Sequence, residues 1–76
     1  MKISDHQKDE DGNETWWLDG KLHREDGPAI ITCLGAMHFC LFGLDFDLED
    51  AINSSEFKIE YPKLIEPIIV YLVHNS

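Results

Sequence analysis

The Asp-Gly dipeptide at positions 19 and 20 constrains the fold more than any other feature of this 76-residue sequence. It follows residues 14–18, which include a threonine and two adjacent tryptophans, residue types that are enriched in β-strands. Asp-Gly favours two-residue hairpin turns, because the central residues of such turns take positive φ angles. The sequence therefore predicts a hairpin that returns along residues 22–24.

A second turn is predicted after this hairpin. Residues 25–28 read Glu-Asp-Gly-Pro. Glycine favours turns because it tolerates positive φ angles, and proline favours them because its ring fixes φ. Residues 29–34 have strand composition, and Gly35 ends them. We therefore expect a further strand of an antiparallel sheet here.

The chain also contains a degenerate internal repeat with an offset of 23 residues. In each copy a glycine turn precedes a strand that carries an aromatic residue, a leucine and a closing glycine. The matched residues are Gly12 and Gly35, Trp16 and Phe39, Leu18 and Leu41, and Gly20 and Gly43. Two copies can arise by chance, but the pattern favours two hairpins over residues 12–46 that bury their faces on each other.

A short helix is predicted next, at about 48–56 within the acidic segment 47–57. Residues at the helical spacing i, i+3, i+4 and i+7 form a narrow stripe there, namely Leu48, Ala51, Ile52 and Ser55. Asp47 can cap this helix by accepting free backbone N–H groups, and Glu49 and Asp50 complement the positive end of the helix dipole.

The tail, residues 58–76, is predicted to be an extended link followed by an apolar strand. Pro62 and Pro67 lack a backbone N–H and disfavour helical geometry in the preceding residue, so they argue against a continuous helix. Residues 68–73 are β-branched, aromatic and apolar on both faces, which is typical of a buried strand. A helix that begins at Pro67 is the alternative, and an exposed run would indicate a dimer or partner interface.

Residues 1–11 form a polar, acidic arm that is predicted to be either mobile or a short edge strand. The length fits a single domain, residues 1–76, with a small core. The predicted fold class is α+β: a small antiparallel β-hairpin repeat sheet with one short helix and a C-terminal apolar strand.

Acidic side chains dominate the charge, since 15 Asp and Glu against 6 Lys and Arg give a net charge of -9. Direct binding to a nucleic acid backbone is therefore disfavoured. The acids cluster in two blocks, which either form a surface for a basic partner or keep the chain soluble. The first block is Asp9, Glu10, Asp11 and Glu14, and the second block is Asp45, Asp47, Glu49 and Asp50.

Trp16 and Trp17 are expected to point to opposite faces of their strand, because side chains alternate along a strand. One of them can enter the core of a single sheet, and the other is left for a partner or for a covering element. We take Trp17 as a candidate partner-binding residue together with the two acidic blocks.

Residues 23–26, which read His-Arg-Glu-Asp, are the densest cluster of titratable side chains. Such neighbours could supply acid, base and anion contacts in an active site. The simpler interpretation is a structural turn, in which Asp26 accepts backbone N–H groups. Arg24 would then pair with Glu25 or with a carboxylate across the hairpin. No catalytic residue is predicted, and the chain is not expected to be an enzyme.

A zinc site is an alternative use of the cysteines. Its ligands would be Cys33, His38, Cys40 and one of His6, His23 and His74. Structural zinc sites usually take two cysteines separated by only two to four residues, and this chain lacks that spacing. We expect small buried thiols, no metal and no cofactor.

Two cysteines are too few for a disulfide framework, and the N-terminus has no stretch that resembles a signal peptide. The longest apolar run, residues 68–73, is far shorter than the roughly 20 residues that span a bilayer. A cytoplasmic location without membrane contact is therefore expected.

Residues 15–29 resemble the MORN-variant repeats of bacteriophage and large-virus proteins. The unit of those repeats is an aromatic pair, then Leu-Asn-Gly-Lys, then His-Arg-Glu-Asp-Gly-Pro-Ala, and this chain departs from it mainly in having Asp19 for the usual asparagine. The second copy keeps only its two glycines, one aromatic residue and one leucine. The resemblance implies stacked β-hairpins, a phage or viral origin and a role in interaction.

The resemblance and the charge together suggest a function. The chain would be a small acidic protein-binding module, encoded by a phage, that inhibits a defence or nucleic-acid-processing protein in the host cytoplasm. In one version it is a DNA mimic, whose acidic blocks occupy a basic nucleic-acid-binding surface. The alternative is a structural or assembly module that self-associates, for example as a homodimer, through its apolar tail and an exposed tryptophan.

Overall fold

The computed structural model describes residues 4–74, in which short antiparallel strands precede three helices. The predicted α+β class is confirmed. The strands are β1 (Asp5–Lys8), β2 (Glu14–Leu18), β3 (Lys21–Leu22), β4 (Ile30–Ile31), β5 (Met37–His38), β6 (Cys40–Leu41) and β7 (Leu44–Asp45). The helices are α1 (Leu48–Asn53), α2 (Ser55–Glu60) and α3 (Pro62–His74).

Strand β2 is the centre of the main sheet. It pairs antiparallel with β1 on one side and with β4 and β3 on the other. The strand order is β1-β2-β4-β5, with β3 beside β2, while β6 and β7 form a separate two-stranded sheet. The turn between β2 and β3 has φ angles of 52° at Asp19 and 78° at Gly20, so the Asp-Gly hairpin is confirmed.

The N-terminal arm contains an edge strand, one of the two forms that the sequence predicts. Strand β1 pairs with β2 over its full length. The turn between them is closed by the carboxylate of Asp9, which accepts the N–H groups of Asp11 and Asn13, both at 2.9 Å. Residues 1–3 of the arm lie outside the described residues.

Strand pairing recurs along the chain with an offset of 23 residues. In the β1–β2 hairpin Lys8 lies opposite Glu14, and in the β4–β5 hairpin Ile31 lies opposite Met37. Both members of the second pair are 23 positions beyond those of the first. The two hairpins therefore have the same register, although the paired residues are charged in one and apolar in the other.

The turns of the two hairpins recur with the same offset. The N–H of Asp9 donates to the Asn13 carbonyl at 3.0 Å, and the N–H of Thr32 donates to the Ala36 carbonyl at 2.8 Å. The side chains of Asp9 and Thr32 in turn accept the N–H groups of Asn13 and Ala36, at 2.9 and 3.0 Å. The two copies thus share hydrogen bonds more than residue identities.

The tight turn of the second copy places a bulky residue in the left-handed region. Phe42 has a φ of 53° and occupies the position that Asp19 has in the first copy. Bulky residues rarely take positive φ, because of the clash between the Cβ atom and the backbone. The ring packs on His23 with the ring centroids 4.2 Å apart, and this contact offsets part of the cost.

Two consecutive helices, α1 and α2, occupy the segment in which one short helix is predicted. Ser54 ends α1, because its N–H donates to the Ala51 carbonyl. The Ser54 hydroxyl begins α2 by accepting the Phe57 N–H at 3.2 Å. Asp47 caps α1 as predicted, and its carboxylate lies 3.1 Å from the Asp50 nitrogen.

The predicted extended link and C-terminal strand are wrong. Residues 58–60 belong to α2, and the apolar run 68–73 lies within α3. Pro62 begins α3, where proline is tolerated because the first N–H groups of a helix have no intrahelical partner. Pro67 lies inside α3, so the expectation that it excludes a helix across the tail is wrong too.

Packing explains why this segment is a helix. Leu64 and Ile68 lie one helical turn apart and have 0% exposure. Tyr71 and Leu72, a further turn along, pack against the same cluster. Burying one Leu or Ile side chain contributes about 1.5 to 3 kcal/mol, so several such contacts exceed the cost of about 3 kcal/mol for an interior proline.

The main hydrophobic cluster lies between the second repeat copy and the helices. Its buried members are Phe39, Ala51, Leu64 and Ile68, and partly buried apolar residues surround them. All of its members fall within residues 39–72. The second copy is therefore the one that the helices cover.

Candidate functional site

The two acidic blocks lie in separate parts of the fold. The first block is at the turn between β1 and β2, and the second block runs from β7 into the first turn of α1. Among residues 4–74 no hydrogen bond or ion pair joins one block to the other. The structure gathers the members of each block but does not connect the two blocks by direct contact.

Asp9 has a structural role in the first block. Its carboxylate accepts the side-chain N–H of Asn13 at 3.0 Å as well as the backbone N–H groups of the turn. The Asn13 side chain, followed by these backbone groups, lowers the pKa of Asp9 from its ordinary value. The stability that the ionised carboxylate gives to the turn is therefore present at neutral pH and is lost as the pH falls through that lowered pKa.

The other members of the first block differ in how far they are engaged. Glu14 lies 2.9 Å from His6 Nε2, so its carboxylate already has a partner. Glu10 and Asp11 are exposed. Glu10 and Asp11 are thus the members whose side chains are free to meet a partner.

The second block is divided in the same way. Asp45 accepts the thiol of Cys40 at 3.2 Å, and Asp47 caps α1. Glu49 and Asp50 are exposed in the first turn of α1, where their charge also complements the helix dipole. Each block therefore contains carboxylates that accept hydrogen bonds within the fold and exposed carboxylates for which the structure gives no such bond among the described residues.

Both tryptophans are half-buried. Trp16 is stacked on His6 with ring centroids 4.4 Å apart, and the guanidinium of Arg24 lies 3.9 Å from its ring centre. Trp17 donates its indole N–H to the Thr15 hydroxyl at 2.9 Å. Trp17 can therefore offer a partner part of its ring, whereas its polar group is engaged within its own strand.

A buried histidine organises the turn at residues 23–26. His23 has 0% exposure. Its Nε2 lies 2.7 Å from a carboxylate oxygen of Glu25, and its Nδ1 accepts the backbone N–H of Phe42 at 2.9 Å. The sequence analysis did not predict this structural role of His23. The signal that pointed to it was that the histidine belongs to a repeat unit, which favours a structural role over a catalytic one.

Arg24 pairs with Asp26 in the same turn. Its Nε donates to the Asp26 carboxylate at 2.9 Å, and its terminal nitrogen donates to the Pro28 carbonyl at 3.1 Å. The predicted alternative of a pair with Glu25 is wrong, because Glu25 accepts from the imidazole. Asp26 is expected from the sequence to accept backbone N–H groups, and the partner that its carboxylate has in the structure is instead the guanidinium of Arg24.

The two cysteines lie in different environments. Cys40 is buried, and its burial, reinforced by the hydrogen bond and charge of Asp45, raises the pKa of the thiol to about 11. Cys33 is exposed, so the expectation of two buried thiols is wrong for Cys33. In the part of the chain that the structure describes, no three His, Cys, Asp or Glu side chains are grouped so that they could hold a metal ion.

A cleft of about 410 Å³ lies beside the C-terminal half of α3. The turn at 26–28 and strand β5 form the wall that faces the helix. Apolar side chains dominate the lining, among them Met37, Phe39 and Val70. Sequence reasoning missed this cleft, because the cleft exists only when the tail is a helix.

Comparison with known protein families, curated proteins and solved structures found no match for this chain. None of the helices in residues 4–74 combines the length and the apolarity that are needed to cross a lipid bilayer. The candidate site is therefore described by its own geometry: two turns with exposed carboxylates, and an apolar cleft beside α3.

Proposed function

We propose that this protein is a small acidic binding module that engages a basic surface of a partner protein through its two acidic blocks. The observation that supports the proposal is the lack of internal neutralisation. In residues 4–74 the ion pairs number three, and only that of Arg24 with Asp26 joins a carboxylate to an arginine or lysine. Both acidic blocks therefore retain their negative charge for a partner.

Uncompensated carboxylates on exposed turns favour fast association with a basic surface, because the summed field steers the encounter. A nucleic-acid-binding groove is a surface of this kind, since it is built to hold phosphates. The resemblance of residues 15–29 to phage and viral repeats extends the proposal to inhibition of a host protein in the host cytoplasm. DNA mimicry is the version in which the carboxylates replace phosphates.

The test compares two variants that lose the same charge at different places. The block variant carries Glu10→Gln, Asp11→Asn and Glu49→Gln. The control variant carries Asp19→Asn, Glu56→Gln and Glu60→Gln. All six carboxylates are exposed, and the turn-closing Asp9 and the helix cap Asp47 are left intact.

The measurement begins with affinity capture from a bacterial lysate at about 0.05 M and about 0.5 M salt, followed by identification of the captured protein. We expect one protein that is retained at low salt and released at high salt. Its affinity should fall at least tenfold for the block variant, about 1.4 kcal/mol, and stay within about twofold for the control variant. Equal affinities for the two variants, or no salt-sensitive partner, would contradict the proposal.

A further inference from the structure

Helix α3 carries two apolar faces. Leu64 and Ile68 form the buried face and have 0% exposure. On the other face Ile69, Val70 and Val73 are 45%, 48% and 66% exposed. A helix at the surface of a single domain normally has one apolar stripe, so a second exposed stripe indicates an interface.

The exposed residues form one continuous stripe. Glu66, Ile69, Val70 and Val73 follow the spacing i, i+3, i+4 and i+7, which places them on one face of the helix. We call these four residues the α3 stripe. His74 follows at the C-terminal end, so the stripe has a carboxylate at one end and an imidazole beside the other.

The cleft of about 410 Å³ extends this apolar surface away from the helix, since Val70 and His74 belong to its lining. The charged groups that line its opposite wall are Arg24 and Asp26, and they neutralise each other in an ion pair of 2.9 Å. The lining of the cleft is therefore apolar and near neutral, and Glu66 is the one acidic residue of the α3 stripe. This surface does not have the acidic character that a basic partner would select.

We propose that a second copy of this chain docks on the α3 stripe, with the two α3 helices antiparallel about a twofold axis near Val70. An antiparallel pair places Glu66 of each copy beside His74 of the other, whereas a parallel pair would oppose the two Glu66 carboxylates. Antiparallel helices also align their dipoles favourably. The stripe is therefore complementary to itself in the antiparallel arrangement, as a twofold interface requires.

A small domain has a particular reason to dimerise through such a face. Chains of this size bury only about 60% of the surface that the unfolded state exposes, so an added apolar interface is a large gain. The net charge of -9 on each copy opposes association. Added salt should therefore strengthen the dimer, which is the reverse of its effect on the acidic contact proposed above.

Sedimentation equilibrium of the full chain tests this interface. We expect a monomer–dimer equilibrium that moves toward dimer as salt rises from about 0.05 M to about 0.5 M. Val70→Glu should raise the dissociation constant at least about tenfold. Ile59→Glu is the matched control, because Ile59 is 81% exposed on α2, lies outside the stripe and gains the same charge on replacement. This control should change the dissociation constant of the dimer by less than about threefold.

A second pair of variants tests the predicted orientation. His74→Lys gives each copy a full positive charge beside the Glu66 of the other copy and should tighten the dimer about threefold. At about 0.5 M salt, where the repulsion between the net charges of the two copies is largely screened, His74→Lys should give no such gain in a Glu66→Gln background. If His74→Lys does not tighten the dimer, or if the gain survives Glu66→Gln, the antiparallel arrangement is overturned.

Three results would overturn the docking of a second copy. The first is a monomer at protein concentrations of about 1 mM in high salt. The second is an equal effect of Val70→Glu and Ile59→Glu. The third is a chain that stays monomeric while Val70→Glu abolishes binding to the protein captured from the lysate, which would assign the α3 stripe to that partner instead.

Discussion

At the level of single residues, the buried side chain of His23 joins the two repeat copies. Its Nδ1 accepts a backbone N–H, so its proton must lie on Nε2, which donates to Glu25. The N–H that it accepts belongs to Phe42, in the tight turn of the second copy. One buried imidazole therefore links the first copy to the backbone of the second.

We expect His23→Gln to lower the free energy of unfolding by about 2 to 3 kcal/mol. A shorter, non-aromatic side chain cannot serve both partners, and a buried donor or charged acceptor that loses its partner costs about 1 to 3 kcal/mol. His38→Gln is the matched control, because His38 is exposed, and its effect should stay within about 0.5 kcal/mol. Urea unfolding measures both variants, and equal effects would refute the role given to His23.

The cysteines allow a second prediction at this scale. The pKa of Cys40 is raised from its ordinary value of 9.0 to about 11 by burial and by Asp45, and the thiolate is the reactive form. At pH 8 an alkylating reagent should therefore modify Cys33 at least about 100-fold faster than Cys40. The single variants Cys33→Ser and Cys40→Ser separate the two rates, and comparable rates would show that Cys40 is not shielded.

Because of the same raised pKa of Cys40, the free energy of unfolding should depend on pH in the alkaline range. Because the folded-state pKa is raised, the contribution of the neutral thiol is complete below about 9 and is lost as the pH rises through about 11. Replacing Cys40 with serine should remove this part of the pH dependence.

At the level of elements, α3 is where composition and packing disagree. The run 68–73 has the β-branched composition of a strand, yet the burial of Leu64 and Ile68 one turn apart demands helical geometry. Composition is a weak guide in such cases, because tertiary contacts override β propensity. The helix accepts an interior proline as a result.

Pro67→Ala should raise the free energy of unfolding by about 1 kcal/mol. Alanine restores the N–H that can donate to the Lys63 carbonyl and removes the clash of the proline ring with that carbonyl. Together these two effects of an interior proline cost about 3 kcal/mol. Part of this gain is lost because the unfolded chain becomes more flexible and because Pro67 contributes to the cleft. Pro62→Ala, at the first helical position, should have little effect, and urea unfolding of both variants checks the difference.

At the level of the whole molecule, the charge of -9 should govern how stability responds to salt. Screening weakens the repulsion among carboxylates, so the free energy of unfolding should rise by about 1 kcal/mol between about 0.05 M and about 0.5 M NaCl. The variant with Glu10→Gln, Asp11→Asn and Glu49→Gln should be more stable than the natural chain at low salt and less sensitive to salt. Urea unfolding tests this, and a fall in stability with salt would mean that attractive ion pairs dominate.

Local features of this protein could be predicted from the sequence. The positive φ angles of Asp19 and Gly20 and the cap at Asp47 depend on side chains and backbone within a few residues of one another. The α+β class follows from the order of the sequence patterns, because short strand-like segments separated by turn residues come first and a segment with helical spacing follows. These features need no knowledge of what lies across the fold.

Only the tertiary structure decided the helical state of the tail, the burial of His23 and the cleft beside α3. Each depends on contacts between segments that are distant in the sequence: His23 with Phe42, and Tyr71 of α3 with Phe39, which lies between β5 and β6. The backbone N–H and carbonyl groups of residues 68–73 can form hydrogen bonds either in a strand or in a helix. The sequence pattern does not reveal which part of the fold these residues will pack against. Burial against a partner element selects one state, because the free energy of burial exceeds the small difference in local propensity.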